Sequence, residues 1–442
     1  MYDAAAVETR GKPVVVLANT GFVNDAESAS RAKGFPGIRV VPTTVPCEGT
    51  IKEDIEGGID RAMDAIVDAI LKPLSPQETS PKAKEPENPA RIIFKGSLQD
   101  VNRFYYQRGW TDGLPIIPPT EEAVAEMLQG TDLPPDHLLG KLQSRGGKAT
   151  IEKIAINAVM AGCLPTYLPV LIAGTIDLLE SEQGFHGYTT FGFSTGSWSP
   201  FWIINGPIRK QINVNNSSGA LSPGNIANAA IGRAMGLIIK NIGGVRKGVE
   251  DMGVMGNPMK YTMVISENEE DSPWEPLHVQ YGYQPEDSTI RVSFPNSYVQ
   301  AIPFHAEADG ILDAIVASTL FGMRYTYIIT PTHAKNLVRA GYSKQKAKEY
   351  IAEHKNAQTP NFIETMTGNN PLPPGRPSLR RMIQDSSLID IIVAGGPGAF
   401  MALITGGGAT PGRKEIQKID LPKNWDALVK KYKNIVPTYA KY

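Results

Sequence analysis

The chain has 442 residues, of which 41% are hydrophobic and 20% are charged, and its formal net charge is −1. This length allows two or three domains. The near-zero net charge and the lack of a basic stripe with interleaved aromatic residues argue against nucleic-acid binding. Because there are only two cysteines, Cys47 and Cys163, we expect no disulfide framework and a cytoplasmic location. The sequence also predicts neither a signal peptide nor a membrane span, since no apolar run is long enough.

Residues 1–74 predict a small α/β unit. Pro13–Ala18 and Ile38–Val45 are rich in valine and predict strands, while Asp25–Lys33 and Thr50–Leu74 show helical periodicity. Alternation of strand and helix favours a parallel sheet. Two strands are too few for an independent sheet, so we expect another part of the chain, or a partner, to complete it.

Residues 75–90 are rich in proline and charge and predict a semi-extended linker. The main domain then covers residues 91–442, and its patterns predict a large mixed α/β (α+β) domain without an internal repeat. The predicted strands are 91–94, Phe185–Thr195, Phe201–Asn205, Tyr261–Glu267, Thr289–Phe294, Tyr325–Thr330 and Asp390–Ala394. The predicted helices are Ser97–Gln107, Glu121–Gln129, Thr150–Met160, Pro165–Glu180, Pro223–Lys240, Ala308–Leu320, Pro331–Ala340, Ser343–Glu353 and Trp425–Tyr432.

The N-terminal unit contains KPVVVLANTGFVNDAESASRAKGFPGIRVVPTTVP followed by a long helix. It resembles the C-terminal half of the UGSC-type (seleno)protein family, whose members carry a U/C-G-S-C motif in their front half. That motif is absent from this chain, and Val45-Pro46-Cys47 stands where the family has Pro-His-Pro. The resemblance implies either a small partner subunit that supplies the missing half or a relic of the family unit.

Most of residues 109–400 resemble a group of bacterial proteins of unknown activity found beside or fused to UGSC-type segments. The resemblance implies one catalytic unit and leaves its chemistry open. It is carried by WTDGLPIIPPT, AINAVMAGCLPTYLPV, GPIRKQINVN, SPGNIANAAIGRAMGLIIKNIGG, SENEEDSPWEPLHV, GYSKQKAKEYI and IIVAGGPGAF.

Cys163 is the strongest candidate for a catalytic residue. It stands between Gly162, which can end a helix, and Pro165, which can begin the next. A helix N-terminus lowers the pKa of a thiol and favours the thiolate that nucleophilic or redox chemistry needs. Cys47 is a second candidate because it follows a predicted strand. The alternative for both is a buried structural cysteine.

An acid-rich segment containing Glu267, Glu269 and His278 follows a predicted strand. Carboxylates beside a histidine can act in general acid–base catalysis or hold a divalent cation. No HxH, HExxH or CxxC motif occurs, so the sequence requires no cofactor, although a divalent metal remains an alternative. The other interpretation is a charged turn.

Arginine and asparagine side chains that could hold a carboxylate or phosphate cluster between two predicted strands. Trp110 and Asp112 lie in a proline-rich loop, and Trp274 stands between two prolines, as the wall of a pocket would. The alternative is that the amides shape turns. The substrate-binding candidates are Trp110, Asp112, Asn205, Arg209, Asn215, Asn225, Asn228, Arg233 and Trp274.

The leading hypothesis is an enzyme, or enzyme subunit, that acts on a small polar or anionic metabolite through the Cys163 thiol. The reaction would be lyase-like or redox at a carbon–heteroatom bond. One alternative is a metal- or acid–base-dependent lyase or hydratase, and another is a non-catalytic subunit of a UGSC-type complex. We expect a homo- or hetero-oligomer that binds neither nucleic acid nor membrane.

Overall fold

The computed structural model describes residues 2–45, 51–79, 90–181, 195–320, 324–355, 385–406 and 416–435. Cys47 and most of the predicted strand Phe185–Thr195 lie outside these residues. No helix in the described ranges is long and apolar enough to cross a membrane.

Helices are interspersed with strands that form small mixed sheets, and together they make an α/β fold, as the sequence predicts. The helices are α1 (Tyr2–Glu8), α2 (Val23–Ala32), α3 (Lys52–Leu71), α4 (Pro76–Thr79), α5 (Leu98–Gln107), α6 (Glu121–Met127), α7 (Ile151–Ala161), α8 (Leu168–Ser181), α9 (Ile208–Gln211), α10 (Ile226–Asn241), α11 (Leu277–Gln280), α12 (Ala308–Ser318), α13 (Pro331–Arg339), α14 (Lys344–His354) and α15 (Trp425–Tyr432). The strands are β1 (Val15–Asn19), β2 (Arg39–Thr43), β3 (Leu138–Leu142), β4 (Gly147–Thr150), β5 (Phe201–Asn205), β6 (Val264–Ser266), β7 (Thr289–Ser293), β8 (Pro295–Ala301), β9 (Arg324–Ile329), β10 (Ile389–Val393), β11 (Met401–Gly406) and β12 (Gln417–Lys418).

The N-terminal unit contains a two-stranded parallel sheet, β1–β2, which confirms the predicted strand direction. No residue of β1 is fully buried. Gly58 and Ala62 are the buried positions of α3, and the helix contacts β2 more extensively than β1. The unit therefore has a thin core, as expected for so few strands.

The first main sheet has the strand order β12–β7–β5–β6. β6 runs parallel to the central strand β5, and β7 runs antiparallel to it. Helices α7, α8 and α10 contact one another, and their apolar residues share one core with this sheet. All five residues of β5 are buried, which explains its uninterrupted apolar run FWII.

The second main sheet, β10–β9–β11–β8, repeats this arrangement with a different sequence. Its β9 has a parallel neighbour, β10, on one side and an antiparallel neighbour, β11, on the other. In both sheets helical chain separates the two parallel strands, and the antiparallel neighbour comes next in sequence. The structure thus contains a topological repeat that the residue pattern does not reveal.

Some predicted elements differ from the structure. The helix expected from Pro165 begins at Leu168, after a 3₁₀ turn over Pro165–Tyr167. The helix expected from Pro223 begins at Ile226, because Gly224 has a φ of 125°, outside helical geometry, and the Asn225 side chain caps the helix instead. The strand expected at residues 91–94 is absent from the described segment 90–181. The strand expected over Tyr261–Glu267 is reduced to β6.

Candidate functional site

The C-terminal ends of the parallel strands of the two main sheets meet. The backbone N–H of Asn268, two residues after β6, donates to the carbonyl of Val393 at the end of β10, at 2.7 Å. Such strand ends are the usual ligand-binding edge of α/β sheets. Five of the residues predicted as functional are brought together here, namely Asn205, Arg209, Glu267, Glu269 and His278, and we call this group the junction cluster.

Glu267 is the anchor of the junction cluster. Its Oε2 accepts hydrogen bonds from Asn205 Nδ2 and from the backbone N–H of Leu277, both at 2.8 Å. Its Oε1 accepts from Lys344 Nζ and from the backbone N–H of Val393, both at 3.4 Å. Because its partners come from both sheets and from α14, this carboxylate is held in place as part of the framework.

Arg209 is fully engaged with protein acceptors. Its Nε donates to the Gly206 carbonyl at 2.9 Å, and Nη1 donates to the Glu267 carbonyl at 2.7 Å. Nη2 donates to Glu269 at 2.8 Å and to Glu270 at 2.9 Å. Burial raises the pKa of Glu270, but the hydrogen bonds from Arg209 and Lys210 outweigh it and lower the pKa to about 2. Arg209 therefore fixes carboxylates of this chain, and it would have to release them to hold a substrate.

His278 and Glu269 are the pair in the cluster whose side chains are suited to proton transfer. His278 is fully buried, and its Nδ1 lies 4.0 Å from Glu269 Oε1. Neither ring nitrogen of His278 has a hydrogen-bond partner among the described residues, and the same holds for Asn205 Oδ1. Glu269 Oε1 is fixed by Asn205 Nδ2 at 3.0 Å and the Gly206 N–H at 2.8 Å. The carboxylate is thus held beside an imidazole that can give or take a proton.

The asparagines downstream of the cluster shape the loop before α10. Asn225 Oδ1 accepts from the Asn228 N–H at 3.1 Å, which caps the helix. Asn228 Oδ1 accepts from the Asn215 N–H at 2.8 Å, and its Nδ2 donates to the Val264 carbonyl at 2.9 Å. Asn215 Nδ2 in turn donates to the Ser218 carbonyl at 3.1 Å. These amide groups form hydrogen bonds with the backbone and fix the loop, in agreement with the alternative interpretation that the asparagines shape turns.

Asp112 and Arg233 form a bidentate ion pair, at 2.7 Å and 2.9 Å, between the proline-rich loop and α10. Arg233 Nη2 also donates to the Pro115 carbonyl at 2.8 Å. Trp110 in the same loop packs edge-on against Tyr105, with ring centroids 5.6 Å apart, and lines a cavity of about 880 Å³. Among the described residues, the hydrogen bonds and ring contacts of Trp110, Asp112 and Arg233 do not reach the junction cluster, so the predicted site residues lie in at least two separate places.

Cys163 lies in the apolar core rather than at a reactive position. Its Sγ donates to the Ala230 carbonyl at 3.3 Å, and its backbone N–H donates to the Ala158 carbonyl at 2.9 Å. Burial raises the pKa of the thiol, against the opposing charge of Arg233. The expectation of a lowered pKa is wrong because burial outweighs the charge of Arg233, and a 3₁₀ turn, Pro165–Tyr167, lies between the cysteine and the start of α8.

Trp274 packs against the core of the second sheet, and its Nε1 donates to the Tyr342 carbonyl at 3.3 Å. Lys344 was missed by the sequence patterns, since a lysine in the first turn of a helix gives no sign that it will be buried. No group of three or more His, Cys, Asp or Glu side chains within the described ranges could hold a metal ion. Glu267 and Glu269 are instead occupied by N–H donors.

Comparison with known families confirms the resemblance of the N-terminal unit. The model of the UGSC family matches residues 1–72. No curated protein and no solved structure matched the chain.

Proposed function

We propose that the chain is a subunit of a two-component enzyme and that its N-terminal unit binds a second, smaller chain. The observation that carries this proposal concerns residues 1–72, the part matched by the UGSC family: their described portions, 2–45 and 51–72, form a sheet of two strands, β1 and β2. Parallel sheets are generally larger and covered on both faces. A second chain that adds strands and covers apolar surface would complete the unit.

The surface of α3 supports such a contact. Met63, Val67, Ile70 and Leu71 follow one another at helical spacing along one side of α3, and we call them the α3 stripe. Their exposed fractions are 44%, 44%, 45% and 75%, and Leu17 of β1 is 42% exposed. Exposed apolar side chains that share one helix side are typical of interaction surfaces.

The partner is also the better place for thiol chemistry. Cys163 is buried, and its pKa is raised, whereas thiol catalysis needs an accessible thiolate. The U/C-G-S-C motif that the family carries in its front half would come from the second chain. This chain would then contribute the main domain and a surface on which the thiol subunit docks.

Native mass spectrometry of the protein purified from its own host tests the proposal. We expect a complex with a small chain whose sequence matches the UGSC family model and contains the Cys-Gly-Ser-Cys-like motif. Val67→Lys in the α3 stripe should abolish the complex, while Ala65→Lys, on another side of the same helix and also exposed, should preserve it. A protein that is always found without such a chain would contradict the proposal.

A second candidate function is general acid–base catalysis by Glu269 and His278. It is favoured by their 4.0 Å approach and by the lack of hydrogen-bond partners for the imidazole within the described residues. A carboxylate and an imidazole at this distance could share a proton during elimination or hydration of a small polar or anionic metabolite. The reaction class would be a lyase or hydratase, and no step in it requires a metal.

Turnover of metabolites extracted from the host, followed by mass spectrometry, tests this second function. Glu269→Gln should slow consumption of the substrate by about 100-fold or more. Glu286→Gln, which changes an exposed carboxylate elsewhere in the main domain, should leave the rate unchanged. Full turnover by Glu269→Gln would exclude the acid–base role. If the complete complex consumes no metabolite at all, the non-catalytic subunit becomes the better description.

A further inference from the structure

The N-terminal unit and the main domain are joined through α2 and the residue that follows it. Ser28 Oγ donates a buried hydrogen bond to Glu250 Oε1 at 2.8 Å. Lys33 Nζ donates to Gln143 Oε1 at 3.3 Å. Since Glu250 and Gln143 both belong to the main domain, α2 is a docking element of the N-terminal unit.

Glu250, which contacts this helix, is an anion that is already paired with two arginines of the main domain. It is fully buried, and Arg246 donates to it from the backbone N–H at 3.0 Å, from Nε at 2.9 Å and from Nη2 at 2.7 Å. Arg145 Nε lies 3.9 Å from its Oε1. Burial raises the pKa of Glu250, but the hydrogen bonds from Arg246 and Ser28 outweigh it, so that the pKa is lowered overall.

Among the residues that the structure describes, Asp25, in the first turn of α2, has no basic side chain paired with it in the way that Arg246 is paired with Glu250. Its Oδ1 is buried and has no hydrogen-bond partner within the described part of the chain. Burial first, and the negative charge of Glu250 second, raise the pKa of Asp25 to about 7, with the chain's amino-terminal group acting in the opposite direction. The neighbouring basic groups have other partners, because Arg246 pairs with Glu250 and Arg31 pairs with Glu27.

We propose that docking of α2 on the main domain takes up one proton, held by Asp25 beside the buried carboxylate of Glu250. Protonated Asp25 can enter this contact without bringing a second negative charge against Glu250. Ionised Asp25 would place a second negative charge in a buried region where Arg246 and Arg145 are already paired with Glu250. The N-terminal unit is therefore held more tightly in mild acid than in mild alkali. This inference needs no second chain and is independent of the proposed function.

The direction and range of the effect follow from proton linkage. An exposed aspartate, as in an undocked α2, titrates near pH 4, whereas docked Asp25 titrates at about 7. Between these values the docked form binds more protons than the undocked form. Docking therefore weakens as the pH rises from about 4 to about 7, by at most about tenfold per pH unit, and is independent of Asp25 above that range.

Hydrogen exchange of the full chain, followed by mass spectrometry and corrected for the intrinsic effect of pH, tests the inference. In the wild type, opening of α2 should become more frequent from about pH 5.5 to about pH 7.5 and then stay constant to about pH 8.5. Asp25→Asn should remove this trend and keep α2 protected throughout. Asp64→Asn, the same change at an exposed position of α3, should behave like the wild type.

An identical pH trend in Asp25→Asn, or no trend in the wild type, would overturn the inference. Because Asp25→Asn removes the group under test, the wild type also needs a direct titration. The carboxyl carbon of Asp25, assigned by its absence from the Asp25→Asn spectrum, should titrate with a midpoint near 7. A midpoint near 4, the ordinary value for aspartate, would show that no proton is held at the contact.

Discussion

Lys344 and Glu267 form a buried ion pair where the two main sheets meet. Nζ lies 3.4 Å from Oε1, and the exposed fractions of the two side chains are 4% and 0%. Lys344 also donates to the Glu275 carbonyl at 2.7 Å, while Glu267 accepts from both sheets. The pair thus joins α14, the segment after β6 and the end of β10 in one place.

Removal of either partner should destabilise the protein strongly, because the other charge stays buried without its counter-charge. We expect Lys344→Met to lower the free energy of unfolding by about 3–5 kcal/mol. Lys346→Met, at an exposed position of the same helix, should change it by less than about 0.5 kcal/mol. Urea unfolding followed by circular dichroism measures both. A loss below about 1 kcal/mol in Lys344→Met would show that the pair contributes little.

Cys163 should be chemically inert in the folded protein. Its thiol is buried, and burial raises its pKa. A reagent therefore cannot reach the sulfur, and little of the reactive thiolate form is present. In a Cys47→Ala background, iodoacetamide at pH 8 should modify Cys163 only after urea is added, as mass spectrometry of the intact chain would report. Rapid modification without urea would place the thiol at the surface and restore it as a catalytic candidate.

The Asp112–Arg233 pair should fasten the proline-rich loop to α10. Arg233→Ala removes the bidentate contact and the hydrogen bond to Pro115; we expect a loss of about 1–3 kcal/mol in the free energy of unfolding. Arg233→Lys should recover less than half of this loss, since an ammonium group cannot make the planar two-point contact. Full recovery by lysine would mean that charge alone matters here.

Lys355 should make the stability depend on pH above neutrality. Burial lowers its pKa from 10.5 to about 7, against the opposing charge of Asp385. Between about pH 7 and pH 10 the unfolded chain binds the proton more tightly than the folded chain, so the free energy of unfolding should rise with pH in this range. Lys355→Met should flatten that rise. Urea unfolding at several pH values measures it, and equal slopes for both proteins would contradict the assignment.

Local elements of the fold could be predicted from the sequence because they depend on neighbouring residues. The helices predicted to start at Ser97 and Ser343 are capped by those serines, and the periodicity of α3 and the parallel pairing of β1 with β2 are confirmed. The prediction for α10 started too early, at Pro223, because the preceding Ser222 is as good a helix cap as the observed cap, Asn225. The choice between them depends on Gly224, whose positive φ a pattern of residue types does not show.

The environments of the candidate site residues could not be predicted, because they depend on residues far away in the sequence. The Cys163 thiol is buried and donates to Ala230 in another helix, and Glu267 finds its counter-charge in Lys344. The grouping of Asn205, Arg209 and Glu269 was foreseeable, since all three lie at or just after strand ends. Whether an amide or guanidinium holds a ligand or the backbone depends on the fold, and here Arg209 and Asn228 hold the protein itself.

The last described segment, residues 416–435, returns to the beginning of the main domain. Tyr432 donates to Glu126, 306 residues earlier, at 2.6 Å, and β12 pairs with β7 at the edge of the first sheet. On the ribosome, the strands β5, β6 and β7 emerge long before this segment is made. Until residues 416–435 have been made, β7 therefore lacks its neighbour β12 and lies at an open edge of this sheet, and such edges readily pair with other chains. A chain that stops before residue 416 should therefore aggregate more readily than one that includes β12.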